Sequence, residues 1–275
     1  CKSLDDEGCK ILSVELAASC TDGATLLRQI YLHANSLSSS GAEYLAAASL
    51  MCNGLNDLSR LCLHENNIGD RGASALFHAM QRGALPGLTW LNLASNAVGD
   101  AGAEALAALL ESGTPLLALR EISLAANLIR EAGCSELIRC SESASSSCPQ
   151  LESINVRANR IPLEAVADAL DGSPHSARLL GASLREQLGD SEEHGAVEGG
   201  ALDGGGGLDA AMAELEPLVE LRAAEVEATR AAEAEARVAA EEAARIMAEE
   251  TALREAAEAV AAAEREAAEE DARAA

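Results

Sequence analysis

The sequence predicts an α/β solenoid, a curved parallel sheet backed by outer helices, followed by one long charged α-helix. Three observations point there. Five asparagines, Asn35, Asn66, Asn96, Asn127 and Asn159, recur at intervals of 31, 30, 31 and 32 residues. Each stands in the same apolar frame, with Leu or Ile eight residues before it and apolar residues five before, three before and two after. Beyond Pro217 the chain is almost pure Ala, Glu and Arg, with no Gly or Pro as far as Ala275. A polar residue held in register inside an apolar frame marks one supersecondary unit repeated along the chain.

At the N-terminus, Ile11, Val14 and Leu16 hold the strand spacing but Ser19 replaces the asparagine, so a degenerate strand is expected there. The first full copy carries Leu27, Ile30, Leu32 and Leu37 around Asn35. The next three run Leu58 to Ile68, Leu88 to Val98 and Leu119 to Ile129, and the last Leu151 to Ile161. The L-x-L alternation inside each copy has period two, the mark of a short strand with one buried face. Six residues past the asparagine stands Gly41, Gly72, Gly102 or Gly133, opening an apolar stretch. Ala73, Leu76, Phe77 and Met80, then Ala103, Leu106, Ala107 and Leu110, fall at i, i+3, i+4, i+7, the inward stripe of an amphipathic helix. Ser39, Asp70 and Asp100 precede the glycine by two residues, where a side-chain oxygen is expected to cap the first free amides. The asparagine amides are expected to bond backbone groups of the turn, because a buried amide must find partners.

This strand–turn–helix unit resembles the leucine-rich repeat of the ribonuclease-inhibitor type, with its pattern L-x-x-L-x-L-x-x-N-x-L running into a glycine–alanine helix start. The resemblance covers residues 27 to about 170, within a repeat domain placed at 1–175 whose five full repeats span about 24–170. In the last copy Ala165 stands where Gly is expected and Pro162 lies nearby, which suits a capping repeat. Residues 176–207 read as a short closing helix, Ser176 to Leu188, and a Gly-rich acidic linker. Residues 208–275 read as a long charged helix, single or weakly coiled-coil. Ile246, Leu253 and Val260 share one heptad position, but Glu250 and Glu264 interrupt the second seam. Glu233–Arg237, Glu241–Arg245, Glu250–Arg254 and Glu269–Arg273 are i,i+4 pairs in the favourable order, each contributing about 0.3 kcal/mol.

Composition narrows the function. Aromatics are 1% of the chain, so the core is expected to be Leu, Ile, Val and Ala. A net charge of −25 repels phosphate backbones and anionic membranes, and no basic stripe offsets it. No run of 18 apolar residues is present, so no membrane span is expected. The chain opens at Cys1 rather than Met and so reads as a fragment or processed product. Eight cysteines lack framework-like spacing, which predicts reduced thiols in an intracellular, cytoplasmic setting. Cys134 takes the place of a helix alanine and is expected to be a buried thiol.

Residues between the apolar strand positions are expected to line a concave binding face. They are Gln29, Tyr31 and His33; Arg60, Cys62 and His64; Trp90 and Asn92; Glu121 and Ser123; then Ser153, Asn155 and Arg157. Two of the four aromatics of the chain, Tyr31 and Trp90, fall on this stripe, and aromatics with Arg nearby are the composition of interface anchors. His33 and His64 hold the same frame position in adjacent repeats and Cys62 lies one step along, so two imidazoles and a thiolate are near one another. With no fourth ligand and Glu65 expected to point away, no metal and no cofactor are expected there. No phosphate loop, nucleophile elbow or HExxH motif is present, so no enzymatic activity is expected. The resemblance implies an interaction scaffold with a protein partner. Two other functions stay open. Regulation of a small GTPase follows from the similar layout of Ran GTPase-activating proteins, and a structural role in a filament or axoneme-like assembly would use weak self-association through 208–275.

Overall fold

A computed structural model describes residues 3–19, 27–51, 55–162, 178–181, 183–184, 207–237 and 241. The expected features at Ala165, in the linker up to residue 206 and at the heptad positions Ile246, Leu253 and Val260 lie outside the described residues. Five three-residue strands alternate with helices: α1 (Asp6–Ser19), β1 (Gln29–Tyr31), α2 (Ser39–Met51), β2 (Arg60–Cys62), α3 (Gly69–Gln81), β3 (Trp90–Asn92), α4 (Asp100–Glu111), β4 (Glu121–Ser123), α5 (Glu131–Ser147) and β5 (Ser153–Asn155). A further helix, α6, covers residues 207–237.

The strands form one parallel sheet in sequence order, β1-β2-β3-β4-β5, and each helix packs on the next. Register follows the repeat: Ile30, Leu61, Leu91, Ile122 and Ile154 pair in one buried row. The helix stripes read from the sequence, Ala73, Leu76, Phe77 and Met80 with Ala103, Leu106, Ala107 and Leu110, close the core from the other side. The sheet is open and uncurled where a curved one is expected.

The asparagines tie neighbouring turns together. Asn127 accepts from the amides of Asn96 and Val98 at 2.9 and 3.0 Å, and donates to the carbonyls of Leu93 and Leu124 at 2.9 and 3.0 Å. Asn66 likewise donates to Leu32 and Leu63 and accepts from Leu37. Each amide therefore spans two repeats. The residue before every asparagine, Ala34, Glu65, Ser95, Ala126 or Ala158, has φ between 53° and 56°, the left-handed turn that aims the amide inward.

Two local expectations are corrected. The segment Ile11, Val14 and Leu16 is part of helix α1, not a degenerate strand. Cys9, Ser13 and Ala17 are buried at i, i+4 and i+8, while Ile11 is 59% exposed. A face of small side chains lets α1 approach α2 closely enough for the Cys9 thiol to donate to the Gly41 carbonyl. The acids near the helix starts cap the following helix rather than their own. Asp6 Oδ1 accepts from the amides of Ser38 and Gly41, Asp70 Oδ1 from Gly99 and Gly102, and Asp100 Oδ1 from Arg130 and Gly133. The carboxylate sits on the positive end of the neighbouring helix dipole, where negative charge is stabilised.

The chain divides into two compact units, Cys1–Ala223 and Ala224–Ala275. The first unit includes the start of α6. Leu208, Ala211 and Leu215 are buried there, and Arg82 pairs with Asp209 at 3.0 Å and Arg222 with Glu15 at 2.9 Å. Glu214 binds Lys10 and accepts from the Tyr44 hydroxyl at 2.9 Å. The hydrogen bond from Lys10, then that from Tyr44, hold the Glu214 carboxyl below the usual carboxylate range. Before residue 207, Leu179, Leu180 and Leu184 are buried, and the Ser183 hydroxyl donates to the Ile154 carbonyl of β5. In the second unit the described residues are helical over 224–237 and mostly exposed, with Arg237 and Glu241 paired at 3.7 Å.

Candidate functional site

The outer face of the sheet carries its side chains in rows that run across the strands. Gln29, Arg60, Trp90, Glu121 and Ser153 make one row, and Tyr31, Cys62, Asn92, Ser123 and Asn155 the next. His33, His64 and Arg157 stand two residues beyond the second row, on the same face. Most of these residues reach the surface: Gln29, Tyr31, His33, Arg60 and Arg157 are exposed, and His64, Trp90, Asn92, Glu121, Ser153 and Asn155 are partly so. Cys62 and Ser123 do not, being 2% and 7% exposed. Strand alternation places both outward as expected, but each is a short side chain flanked in its row by larger ones, which take the surface.

The rows differ in character along the sheet. At β1 to β3 the Tyr31 ring meets His33 edge-on at 6.3 Å, and the Arg60 guanidinium lies 5.8 Å from the Trp90 ring centroid. The Tyr31 hydroxyl donates to Gln29 Oε1 at 3.0 Å. At β3 to β5 the face is small and polar, and Asn92 and Asn155 turn their Oδ1 to the amides of Ala94 and Arg157. The aromatic rings therefore gather toward one end with Arg60 among them, while Arg157 stands at the other. A cation over an aromatic ring at an exposed site contributes about 0.5–1 kcal/mol, enough to hold both side chains in a fixed relation.

The imidazoles of His33 and His64 stack with centroids 4.6 Å apart and planes 3° from parallel, as equal positions on neighbouring parallel strands require. Beside them the Cys62 Sγ lies 2.9 Å from His64 Nδ1. One donor atom from each of His33, Cys62 and His64 lies within 4.8 Å of the others, close enough for one ion. Burial pushes the Cys62 thiol up, although a backbone hydrogen bond at His64 acts the other way. A thiol held protonated is a poor nucleophile, which argues against covalent catalysis by Cys62.

This array of short parallel strands, the first four each followed by a helix and all five locked by an asparagine, coincides with a family match. The Leucine Rich repeat model matches residues 56–77 and 87–107, the β2–α3 and β3–α4 units. These two units are leucine-rich repeats. No curated protein matches this leucine-rich repeat chain. Leucine-rich repeats are typically protein–protein interaction modules. Among the described residues of this repeat protein, no helix is long and apolar enough to cross a membrane.

Among the described residues every assigned cysteine, Cys9, Cys62, Cys134, Cys140 and Cys148, is a free and buried thiol. Cys134 is fully buried in α5, at the helix position where a buried thiol is expected. Sequence reasoning missed two groups of residues that act in this repeat protein. Asp6 belongs to the capping row, a role signalled by Asp6-x-Gly8 matching Asp70-x-Gly72. The buried stripe of α6 was signalled by Leu208, Ala211, Leu215 and Val219, spaced as a helix face.

Proposed function

We propose that this leucine-rich repeat chain is a non-enzymatic interaction scaffold that binds a protein partner through the outer face of its sheet. One observation carries the reading: Tyr31, Arg60 and Trp90 stand together at the open end of that face, two of them in ring or cation contact. Tyr, Trp and Arg dominate binding energy where they cluster, because the rings cover much area at low entropic cost and the guanidinium offers a planar fork of donors. The net charge of −25 favours a protein over a nucleic acid or an anionic membrane. The repeat length of 30 to 32 residues, with a full helix after each of the first four strands, supports the ribonuclease-inhibitor type. The buried reduced thiols support an intracellular, cytoplasmic setting.

The test is affinity capture with the whole chain and with a Tyr31→Ala/Trp90→Ala double variant. Both residues lie on the surface, so circular dichroism should show the variant folded. The expected result is loss of at least one captured protein by ten-fold or more. Retention of every captured protein by the folded variant would overturn the proposal.

A further inference from the structure

We propose that His33, Cys62 and His64 form a binding site for a zinc ion, with the fourth position open to water or to a side chain of a bound partner. Three independent features converge on it.

The donor set is the first. Two imidazoles and a thiol come within 4.8 Å of each other, a combination suited to a borderline-soft cation in tetrahedral coordination. The repeat register fixes this proximity: His33 and His64 occupy equal frame positions two residues past β1 and β2, where Leu32 and Ala34 donate to the carbonyls of Cys62 and His64, and Cys62 ends β2 two residues before His64. Zinc–nitrogen bonds of about 2.0 Å and zinc–sulfur bonds of about 2.3 Å place tetrahedral donors roughly 3.3–3.7 Å apart. The approach needed is therefore small. The two rings are nearly parallel, and parallel rings cannot both aim an in-plane lone pair at one ion. Binding requires each to rotate about its Cβ–Cγ bond so that the stack fans open. That is a side-chain movement, and His33 is exposed enough to make it.

Glu65 is the second. Its Oε1 lies 3.8 Å from His64 Nε2, on the opposite edge of the ring from the nitrogen that faces Cys62. A carboxylate behind a metal-binding histidine fixes the tautomer and raises the basicity of the other nitrogen. At 3.8 Å it is beyond hydrogen-bond reach, but a small turn of the exposed Glu65 side chain would bring it to Nε2, where it would hold the proton and leave the lone pair on Nδ1, toward the sulfur.

The third is where Glu65 stands. It takes the left-handed position before the repeat asparagine, with φ 56°, where the other copies place Ala34, Ser95, Ala126 and Ala158. A long charged side chain gains nothing for the turn itself. Its placement next to His64, in the turn after the one described strand that brings a thiol, is accounted for by the histidine beside it.

The experiment uses the full chain, stripped with a chelator and titrated with Co²⁺ as a spectroscopic probe, then with Zn²⁺ in competition with a chromophoric chelator. Expected are one cobalt per chain, a thiolate-to-cobalt charge-transfer band in the near ultraviolet, tetrahedral d–d bands, and bleaching by one equivalent of Zn²⁺. Cys62→Ser should abolish the charge-transfer band, His33→Ala should weaken zinc at least ten-fold, and Glu65→Gln should weaken it about ten-fold. Cys134→Ser, a buried thiol elsewhere, should leave the spectrum unchanged. His33→Ala guards against a folding artefact at Cys62, since it removes an exposed ring. Absence of the band, its persistence in Cys62→Ser, or unchanged zinc affinity in His33→Ala would each overturn the site.

Discussion

Replacing Asn127 with Ala removes both halves of a bidentate tie between two repeats. The side chain is 4% exposed, so water does not take its place. Two amides, those of Asn96 and Val98, lose their acceptor, and the carbonyls of Leu93 and Leu124 lose a donor. An orphaned buried group costs about 1–3 kcal/mol, so the two amides alone predict a loss of about 2–6 kcal/mol. With a urea slope of about 2 kcal/mol per molar, the unfolding midpoint should fall by roughly 1–3 M. Asn35→Ala is the internal comparison. Asn35 is only partly buried and accepts from the single amide of Leu4, so its removal should cost about 1 kcal/mol. Hydrogen exchange gives a local readout, because the amides of Asn96 and Val98 should lose protection before those of β1. An Asn127→Ala midpoint no lower than that of Asn35→Ala would refute the view that buried amides hold the repeats in register.

Three other perturbations test separate parts of the structure. Gly72→Ala ought to stabilise a helix interior by about 0.5–1 kcal/mol, but a Cβ there would lie 2.6 Å from Ile68 Cγ2 and 3.0 Å from Ser39 Cα. The sign should reverse to a loss of about 1–3 kcal/mol, and a higher melting temperature would show that α2 and α3 are not in such close contact. Leu215→Ala, at a site with no exposure, should cost about 2–4 kcal/mol and speed proteolysis of α6; an unchanged urea midpoint would mean that the start of α6 does not belong to the repeat unit. Burial pushes the thiols of Cys9 and Cys140 from the ordinary 9.0 to about 12, so the unfolded chain releases these protons first. Stability from them is intact below pH 9 and falls between pH 9 and 12, by about 1 kcal/mol per thiol at pH 10. Urea midpoints at pH 8, 9 and 10 should show a shallower decline in Cys140→Ala, and equal slopes would contradict the assignment.

The strands and their register were legible because the signal is redundant: five asparagines and four apolar positions agree in every copy. The helix stripes were legible for the same reason, through Leu76, Phe77 and Met80 or Leu106 and Leu110. The first helix was not, because Ile11, Val14 and Leu16 satisfy a two-residue period while Cys9, Ser13 and Ala17 satisfy a helical one, and small residues make a weak stripe. The capping carboxylates were found but attached to the wrong helix. Local sequence suggests the nearest amides, whereas Asp70 reaches Gly102, 32 residues on. At the site, alternation tells which strand positions face outward but carries no information on side-chain length, so Cys62 and Ser123 are expected at a surface they do not reach. The buried part of α6 was hidden by composition, since an Ala/Glu/Arg-rich stretch masks the few positions, Leu208 and Leu215, that differ.

The asparagine that serves two turns at once makes array length a quantised property. Removing one whole period, such as the 30 residues separating Asn66 from Asn96, returns the chain to the same point in the frame, with a new neighbour offering the same carbonyls and amides. The observed intervals of 30 to 32 residues show that a residue or two is absorbed, whereas removing half a unit would set an amide against a helix. Gain and loss of sequence in this chain is therefore tolerated in steps of one unit, and binding surface can be added or withdrawn without redesigning the joints.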